Sequence, residues 1–311
     1  MARKIQIVNK NDTSRLDVFV ASQDIGITRS QVKKLAHGGF IYVNDVPAKA
    51  AHRMQPGDSI SVTLSSGSTP LLEPQDIPLS ILYTDNDILV IDKPAGIVVH
   101  PSAGHPSNTL VNAILFSCPE LRGVSNNLRP GIVHRLDKDT SGVMVIAKSN
   151  AVHNALATQW KNRSVKKKYL ALVTGELHCQ KGLINCPIGR NPINRKKMAI
   201  VTHGRSAQTN GRSAQTKYQV IGYRNDHSLI EVSPITGRTH QIRVHLASMG
   251  HPITGDMLYG KRSQLLNRQF LHANYLGFHH PSTNNWVGFS TPLPPDLKVA
   301  LDQLGLNSPG N

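Results

Sequence analysis

Carboxylates are scarce in this 311-residue chain: 19 Asp and Glu stand against 35 Lys and Arg, a formal net charge of +16. That imbalance disfavours cationic partners and points to a polyanion, nucleic acid first among them. Aromatic residues make up only 5%, too few for the successive stacking platforms of proteins that coat single strands. Cysteine is limited to Cys118, Cys179 and Cys186, an odd set without a C-x-x-C pair, which argues against a disulfide framework and a zinc ribbon. Long apolar runs are missing as well. Ile88–Ile91 and Val143–Ala147 fall far short of the roughly 20 residues that span a bilayer, so no membrane association is expected. Met1–Ile5 leads into a polar stretch rather than an apolar signal segment, and a cytoplasmic location is the expectation.

Several chemistries lack their residues. There is no G-x-x-x-x-G-K-[ST] loop, no strand-coupled G-x-G-x-x-G and no H-E-x-x-H, the signatures of nucleoside triphosphate, dinucleotide and zinc-protease sites. His240 and His245 are spaced so that a helix does not put both on one face, and His279 and His280 would point to opposite sides of a strand. No metal and no cofactor are expected.

What is present begins with a small basic module. Ser14-Arg15-Leu16-Asp17 and Thr28-Arg29-Ser30-Gln31 have the spacing of capping boxes, each predicting a short helix. The second helix should end at Gly38-Gly39, and Phe40–Val43, the turn Asn44-Asp45 and Ser59–Val62 read as a small sheet. Arg15, Arg29, Lys33 and Lys34 then lie on or near the helices, a surface suited to RNA phosphates. The stretches RLDVFV, TRSQVKKLAHGGFIYVND and MQPGDSISV resemble the RNA-binding module of the fourth small-subunit ribosomal protein. The module is expected over residues 1–64, a flexible linker containing Ser65–Pro70 over 65–75, and a second domain over 76–311.

In the second domain strands outnumber helices: Ile88–Ile91, Val143–Ala147, Tyr169–Val173, Tyr218–Tyr223, Leu229–Val232 and Trp286–Ser290, against helices at Ala151–Lys161 and His240–Met249, a shorter one near Thr109–Leu115 and a terminal one from Asp296. The irregular order predicts an α+β fold with a mixed, largely antiparallel sheet flanked by helices. GRSAQT occurs twice, at Gly204–Thr209 and Gly211–Thr216. A seven-residue repeat is too short for a solenoid and reads as a local duplication that lengthens a loop, functionally silent or adding one RNA-contacting arginine.

The chemistry concentrates in GIVHRLDKDTSGVMVIAKS, where Arg135, Asp137, Lys138 and Asp139 sit in the loop entering an apolar strand. Surface salt bridges worth less than about 1 kcal/mol each would explain these charges alone. A second cluster, SPITGRTHQIRVHLASMGHPITGD, sets Arg238 and Arg243 around a tight turn that leads into a helix.

With VIDKPAGIVVHPSAG, GIVHRLDKDTSG, KKKYLALVTG and TGRTHQIRVHLA in order, the chain resembles the pseudouridine synthases, in particular those of large-subunit ribosomal RNA and their D subfamily. The resemblance runs from about Ser14 to about Leu301 and implies the fold of that family, an isomerase activity without cofactor, and ribosomal RNA as partner, free or in assembling particles; a monomer is the expectation, though the sequence leaves the oligomeric state open. It implies residue roles as well. Asp137 would be the catalytic aspartate, with Asp139 a neighbour lacking that role, and Tyr169 would stack on uracil and share in proton transfer. Arg243 would pair with the aspartate, Leu246 would pack nearby, and Arg135 would fill the gap left by an extruded base; Arg238 joins them as an RNA contact. Two other readings stay open at this point: a noncatalytic RNA-binding or ribosome-assembly protein, and a hydrolase using Asp137 and Asp139 as an acid/base pair.

Overall fold

The structure, a computed structural model, describes residues 3–23, 25, 27, 29–64, 72–102, 104–125, 129–201 and 211–306. Thr28, Ser65–Pro70 and the first GRSAQT copy lie outside the described residues. Two units emerge from the contacts, Met1–Leu71 and Leu72–Asn311.

The first unit contains β1 (Arg3–Val8), α1 (Leu16–Ser22), α2 (Arg29–His37), β2 (Ile41–Val43), β3 (Val46–Pro47) and β4 (Ser59–Leu64). Its sheet has the order β1-β4-β2-β3 and is antiparallel throughout. Asn44 and Asp45 both take positive φ, 50° and 61°, the backbone a two-residue hairpin loop requires. Leu16, Phe19 and Val20 of α1 and Val32 of α2 pack on Ile41, Val43, Ile60 and Val62. The capping box expected at Ser14 does not form. Arg15 is the N-cap and makes no side-chain cap, because Ser14 falls one residue too early; its hydroxyl is buried without a partner, and Asp17 turns to Arg15 and Arg29 instead.

The second unit holds β5 (Ser80–Thr84), β6 (Ile88–Lys93), α3 (Leu110–Ser117), β7 (Ser141–Ala147), α4 (Asn150–Asn162), β8 (Lys166–Thr174), β9 (Lys181–Asn185), β10 (Ile188–Arg190), β11 (Met198–Ile200), β12 (Gln215–Arg224), β13 (His227–Pro234), α5 (Gln241–Ser248), β14 (Leu271–His279), β15 (Trp286–Ser290) and α6 (Pro295–Leu304). Nine strands form one sheet in the order β5-β6-β7-β14-β8-β13-β12-β9, with β15 on β14, while β10 and β11 make a separate hairpin. The β7·β14 pair is parallel and the other pairs are antiparallel, the mixed α+β architecture expected. Strand β7 is buried along its whole length, and its two faces feed two cores. Met144 and Ile146 meet Leu110, Val111 and Ile114 of α3, whereas Val143 and Val145 meet Val152 and Leu156 of α4. A third core joins β8 and β13 to α5 and α6.

Three differences from the sequence reading have physical causes. Residues 72–75 are not linker: Leu72 is buried in the α3 core, the Gln75 amide donates to the Asn112 carbonyl at 3.0 Å, and Asn112 Nδ2 donates to the Glu73 carbonyl at 2.7 Å. Strand β14, central to the sheet, was not anticipated because His272 and Asn274 interrupt its apolar pattern; His272 is fully buried, 2.9 Å from the Ser141 hydroxyl. The second GRSAQT copy is no loose loop. Arg212 bridges to Ile188, Ala214 is fully buried, and Gln215-Thr216 begin β12.

Gly142 marks the tight crossing of β7 and β14, with φ +125° and a position where a Cβ would lie 2.6 Å from the Ala273 amide nitrogen. Backbone cannot move aside as a side chain would. Gly142→Ala should therefore destabilise the second unit by about 2 kcal/mol or more, a fall in Tm of roughly 4–8 °C that calorimetry would record.

Candidate active site

The loop between Gly131 and β7 carries Asp137, and three anchors fix its course. Leu136 is buried in the α3 core. Lys93, at the end of β6 and fully buried, donates to the carbonyls of Pro94 (2.6 Å), Ile97 (2.9 Å) and Lys138 (3.0 Å); burial pulls its pKa down to about 7, against the attraction of Asp139 and Asp137. Arg268 donates to the Asp139 carbonyl at 3.0 Å and is itself paired with Asp296 at 2.6 and 2.9 Å. A loop whose carbonyls are held by two cations presents its intervening side chain at a defined place.

Asp137 meets Arg243 there, Nη1 donating to Oδ2 at 3.0 Å across 106 positions of sequence. The guanidinium is shared. Its Nε and Nη2 donate to the two oxygens of Asp256 at 2.7 and 2.9 Å, the two-pronged geometry that suits arginine and carboxylate. Asp256 is fully buried, and its Oδ1 also accepts the amides of Leu258 and Tyr259. Burial acts to raise the Asp256 pKa, but the Arg243 hydrogen bonds and charge outweigh it and the net shift is downward. On Arg243 burial works against the charge and the two carboxylates prevail, so its pKa rises. The Tyr259 ring lies 5.1 Å from the Arg243 Cζ.

Helix α5 is aimed by the second repeat copy. Gln241 Nε2 donates to the Gln215 carbonyl and to Thr216 Oγ1, both at 2.9 Å, while its oxygen accepts from Thr236 Oγ1 (2.7 Å) and the Arg238 amide (3.0 Å). His245 is 2.8 Å from Thr216 Oγ1 through Nδ1 and 3.0 Å from the Cys186 carbonyl through Nε2. A carbonyl can only accept, so Nε2 carries the proton and Nδ1 accepts from the threonine; burial lowers the pKa and keeps this ring neutral. Arg238 Nε donates to the Ser213 carbonyl at 3.1 Å.

Asp137 and Arg243 open onto a cleft of about 320 Å3 also lined by Arg129, Arg135, Lys167, Tyr169, Arg238 and Ile242. Among the described lining residues Asp137 is the one carboxylate, against five lysines and arginines. Tyr169 projects into the cleft, and burial, reinforced by the Asp137 charge, raises its pKa so that it stays a neutral phenol. Lys167, two residues earlier on the same face of β8, has its pKa drawn down to about 8 by burial. His134 forms part of the wall, stacked on Trp160 at 4.8 Å, and burial followed by the Lys167 charge lowers its pKa to about 3. His100 also lines the cleft, its Nδ1 buried without a partner and its pKa lowered to about 4 by burial and then by Arg129 and Arg135.

The structure thus brings together Asp137, Tyr169, Arg243, Arg135 and Arg238. It does not bring Leu246 to the surface: that side chain is fully buried in the α5–α6 core, and Ile242, one turn earlier, lines the cleft instead. Asp139 is not among the lining residues, which removes the partner the acid/base hydrolase reading needs. In the first unit Arg15 and Arg29 pair with Asp17 at 3.1 and 2.9 Å and Lys33 approaches it at 3.6 Å, whereas Lys34 is exposed. Asp256, Lys93, Lys167 and His100 escaped sequence reasoning. Lys93 and His100 stood inside a quoted motif without a role, and nothing in GHPITGD marked its aspartate as the anchor of Arg243. Away from the cleft, at the other end of β6, Asp85, Asp87 and His280 bring their ligand atoms within 4.8 Å of one another, but His280 is bonded to Asp85 at 2.9 Å and Ser282 to Asp87, a network satisfied from within.

The sequence and fold are shared with known proteins. A family profile described as RNA pseudouridylate synthase matches residues 87–248, and an S4 domain profile matches residues 14–60. The chain is 41% identical to an uncharacterized RNA pseudouridine synthase of Bacillus subtilis over 95% of each protein. It is 40% identical to the ribosomal large subunit pseudouridine synthase D of Zymomonas mobilis, covering 94% of this chain and 95% of that one. Among solved structures, human RNA pseudouridylate synthase domain containing 1 superposes with a TM-score of 0.59 at 30% identity, over 74% of this chain and 94% of the other.

Because Asp256 is buried beneath Arg243, Asp256→Asn should cost about 3–5 kcal/mol at pH 7. Its folded-state pKa is depressed, so the stabilisation is present above the unfolded value of about 3.9 and lost as pH falls through the folded one. Denaturant titrations of both proteins should show the gap closing progressively from about pH 4 downward.

Proposed function

The chain belongs to the RNA pseudouridine synthases, isomerases that convert uridine to pseudouridine in RNA, and from that premise we propose that it acts on large-subunit ribosomal RNA in the cytoplasm, with Asp137 as its catalytic residue. The observation that carries the residue assignment is the 3.0 Å pairing of Asp137 with Arg243 inside a cleft where Asp137 is the one carboxylate among five lysines and arginines in the described lining. The substrate assignment is supported by the name of the Zymomonas relative and by the S4 match.

The reaction breaks the bond from C1′ of the ribose to N1 of uracil and makes a bond from C1′ to C5; C5 gives up a proton and N1 takes one. Nothing is oxidised or reduced. Asp137 is the nucleophile in this reading, kept in place by its loop and steadied by Arg243, whose second carboxylate partner leaves it charge-balanced while Asp137 reacts. Tyr169 offers a flat face to the uracil and enters as a phenol, a donor rather than a phenolate base. A uridine in a helix must leave the stack to reach Asp137, at a cost of a few kcal/mol, and Arg135, exposed at the cleft and two residues from the nucleophile, fills the vacated space. Arg129, Lys167 and Arg238 hold the flanking phosphates.

The experiment that tests this is tritium release from ribosomal RNA labelled at C5 of uridine. Wild type should release it, Asp137→Asn should fall to background, and Asp139→Asn should retain activity within about tenfold. Equal loss in the two variants would overturn the assignment of the chemistry to Asp137 alone, and no release by wild type on any ribosomal RNA would favour a binding protein or a hydrolase. A second expectation concerns pH. Lys167 is cationic below about pH 8 and neutral above it, so its hold on phosphate weakens on the alkaline side. RNA affinity measured from pH 7 to 9 at constant salt should decline in wild type, and Lys167→Arg should flatten that decline, since arginine keeps its charge throughout.

A further inference from the structure

Between Leu177 and Asn225 the sequence holds nine lysines and arginines and no aspartate or glutamate. Within this stretch β10 and β11 form a hairpin of their own, outside the large sheet. Its strands are built into the site: from the last pair before the loop, Arg190–Met198, the Met198 amide donates to the Tyr259 hydroxyl at 2.8 Å, the same hydroxyl that meets His240 at 2.8 Å, and Ile188, Met198 and Ile200 pack with Ala214, Val244 and Tyr259. Tyr259 in turn faces Arg243. The hairpin therefore stands on the groups that hold Asp137.

Its tip is ordered from within. Asn191 Oδ1 accepts the amides of Ile193 and Asn194, both at 2.9 Å, Asn194 Oδ1 accepts the Lys196 amide at 3.1 Å, and Arg190 donates to the Arg195 carbonyl at 3.0 Å. These bonds hold the Ile193 side chain 95% exposed, the most exposed large apolar side chain among the described residues. Isolated surface apolar groups are ordinary. This one is different in being a stiff β-branched residue at the apex of a fixed turn, flanked by Arg195, Lys196 and Lys197, for which no carboxylate partner exists among the described residues. Ile193 lies three residues past Arg190, so it reaches at most roughly 10 Å beyond the last strand pair, about three base steps from the hairpin's end.

We propose that the β10–β11 hairpin is an RNA-docking element, in which Arg195, Lys196 and Lys197 grip backbone phosphates beside the target and Ile193 wedges against the neighbouring base pair to open the stack. An apolar wedge set among cations matches a nucleic-acid helix, whose phosphates surround an apolar base stack; a protein partner acidic enough to pair with the cations would leave Ile193 without a complement. The proposal rests on the reading of RNA as substrate given above, and extends it to how the uridine is made accessible.

The test uses the full chain and two RNAs of one sequence, one folded so that the target uridine is helical and one a short single strand. At saturating RNA, Ile193→Ala should slow pseudouridine formation about tenfold on the helical RNA and leave the single strand unchanged, with KM little altered on either. Replacing Arg195, Lys196 and Lys197 together by alanine should weaken binding and reduce the slope of log affinity against log salt by about 2. An Ile193→Ala rate equal to wild type on the helical RNA, equal slowing on both RNAs, or an undiminished salt slope in the triple variant overturns the proposal. A wild type that binds with the full slope but forms no pseudouridine, beside a triple variant that loses the slope, instead overturns the proposed reaction and leaves the hairpin standing as an RNA surface.

Discussion

One guanidinium between two carboxylates organises this molecule. Burying an arginine costs several kcal/mol unless it is paired, and Asp256, itself wholly buried, supplies that pairing through a two-pronged contact. The third interaction, Nη1 to Asp137, is then free to be remade during a reaction. Were Asp137 the sole partner, every event that neutralised it would strand a buried cation. With Asp256 beneath, the charge of Arg243 stays compensated and its direction toward the cleft is kept. The stabilising pair and the working pair share a residue without sharing a task.

The fold exists around that contact in the sense that four distant segments must meet to make it. The crossing of β7 and β14 requires a glycine at 142, which brings the Asp137 loop down beside the strand leading to β15. Lys93 closes the other side of the loop from β6. Tyr169 arrives on β8, whose neighbour β13 delivers the turn into α5, and α5 is fixed by Gln241 and His245 through the side chain and backbone of the second GRSAQT copy. That copy is a structural part of the site, since Thr216 satisfies two buried polar groups that would each cost about 1–3 kcal/mol if left unpaired.

How far the sequence disclosed this follows from how local each signal is. Helices α4 and α6 and strands β7, β13 and β15 carry uninterrupted periodicity or turn residues at their ends, and were readable to within a few residues. Asp137, Tyr169 and Arg243 were legible through motif resemblance, and their convergence on one cleft fits it. β14 was hidden because its buried polar side chains are satisfied only by residues far away, His272 by Ser141. Asp256 was hidden for the same reason, a carboxylate whose significance is a partner thirteen positions away in sequence. Leu246, carried by the resemblance as a residue packing near the pair, lies in the core that Tyr169 packs against and is too deeply buried to touch RNA itself. The Ser14 capping box failed because a spacing match cannot register a helix to the nearest residue.

The titration behaviour of the cleft fits a polyanionic substrate. Its arginines hold their charge at any physiological pH, while burial keeps His100, His134 and His240 neutral, so the field that attracts RNA is nearly fixed. Neutral imidazoles serve as walls and hydrogen-bonding groups without adding a variable charge beside Asp137. Lys167 is the exception, a cation within reach of losing its proton on the same strand face as Tyr169. Its amine has paid part of the desolvation cost before any ligand arrives, so a phosphate placed against it gains more than it would from a solvated lysine, and the gain is greatest for a substrate that fills the cleft and excludes water. In the proposed reaction, rigid charge for attraction and one adjustable charge on the strand face of Tyr169 would together discriminate a seated nucleotide from a backbone passing over the mouth.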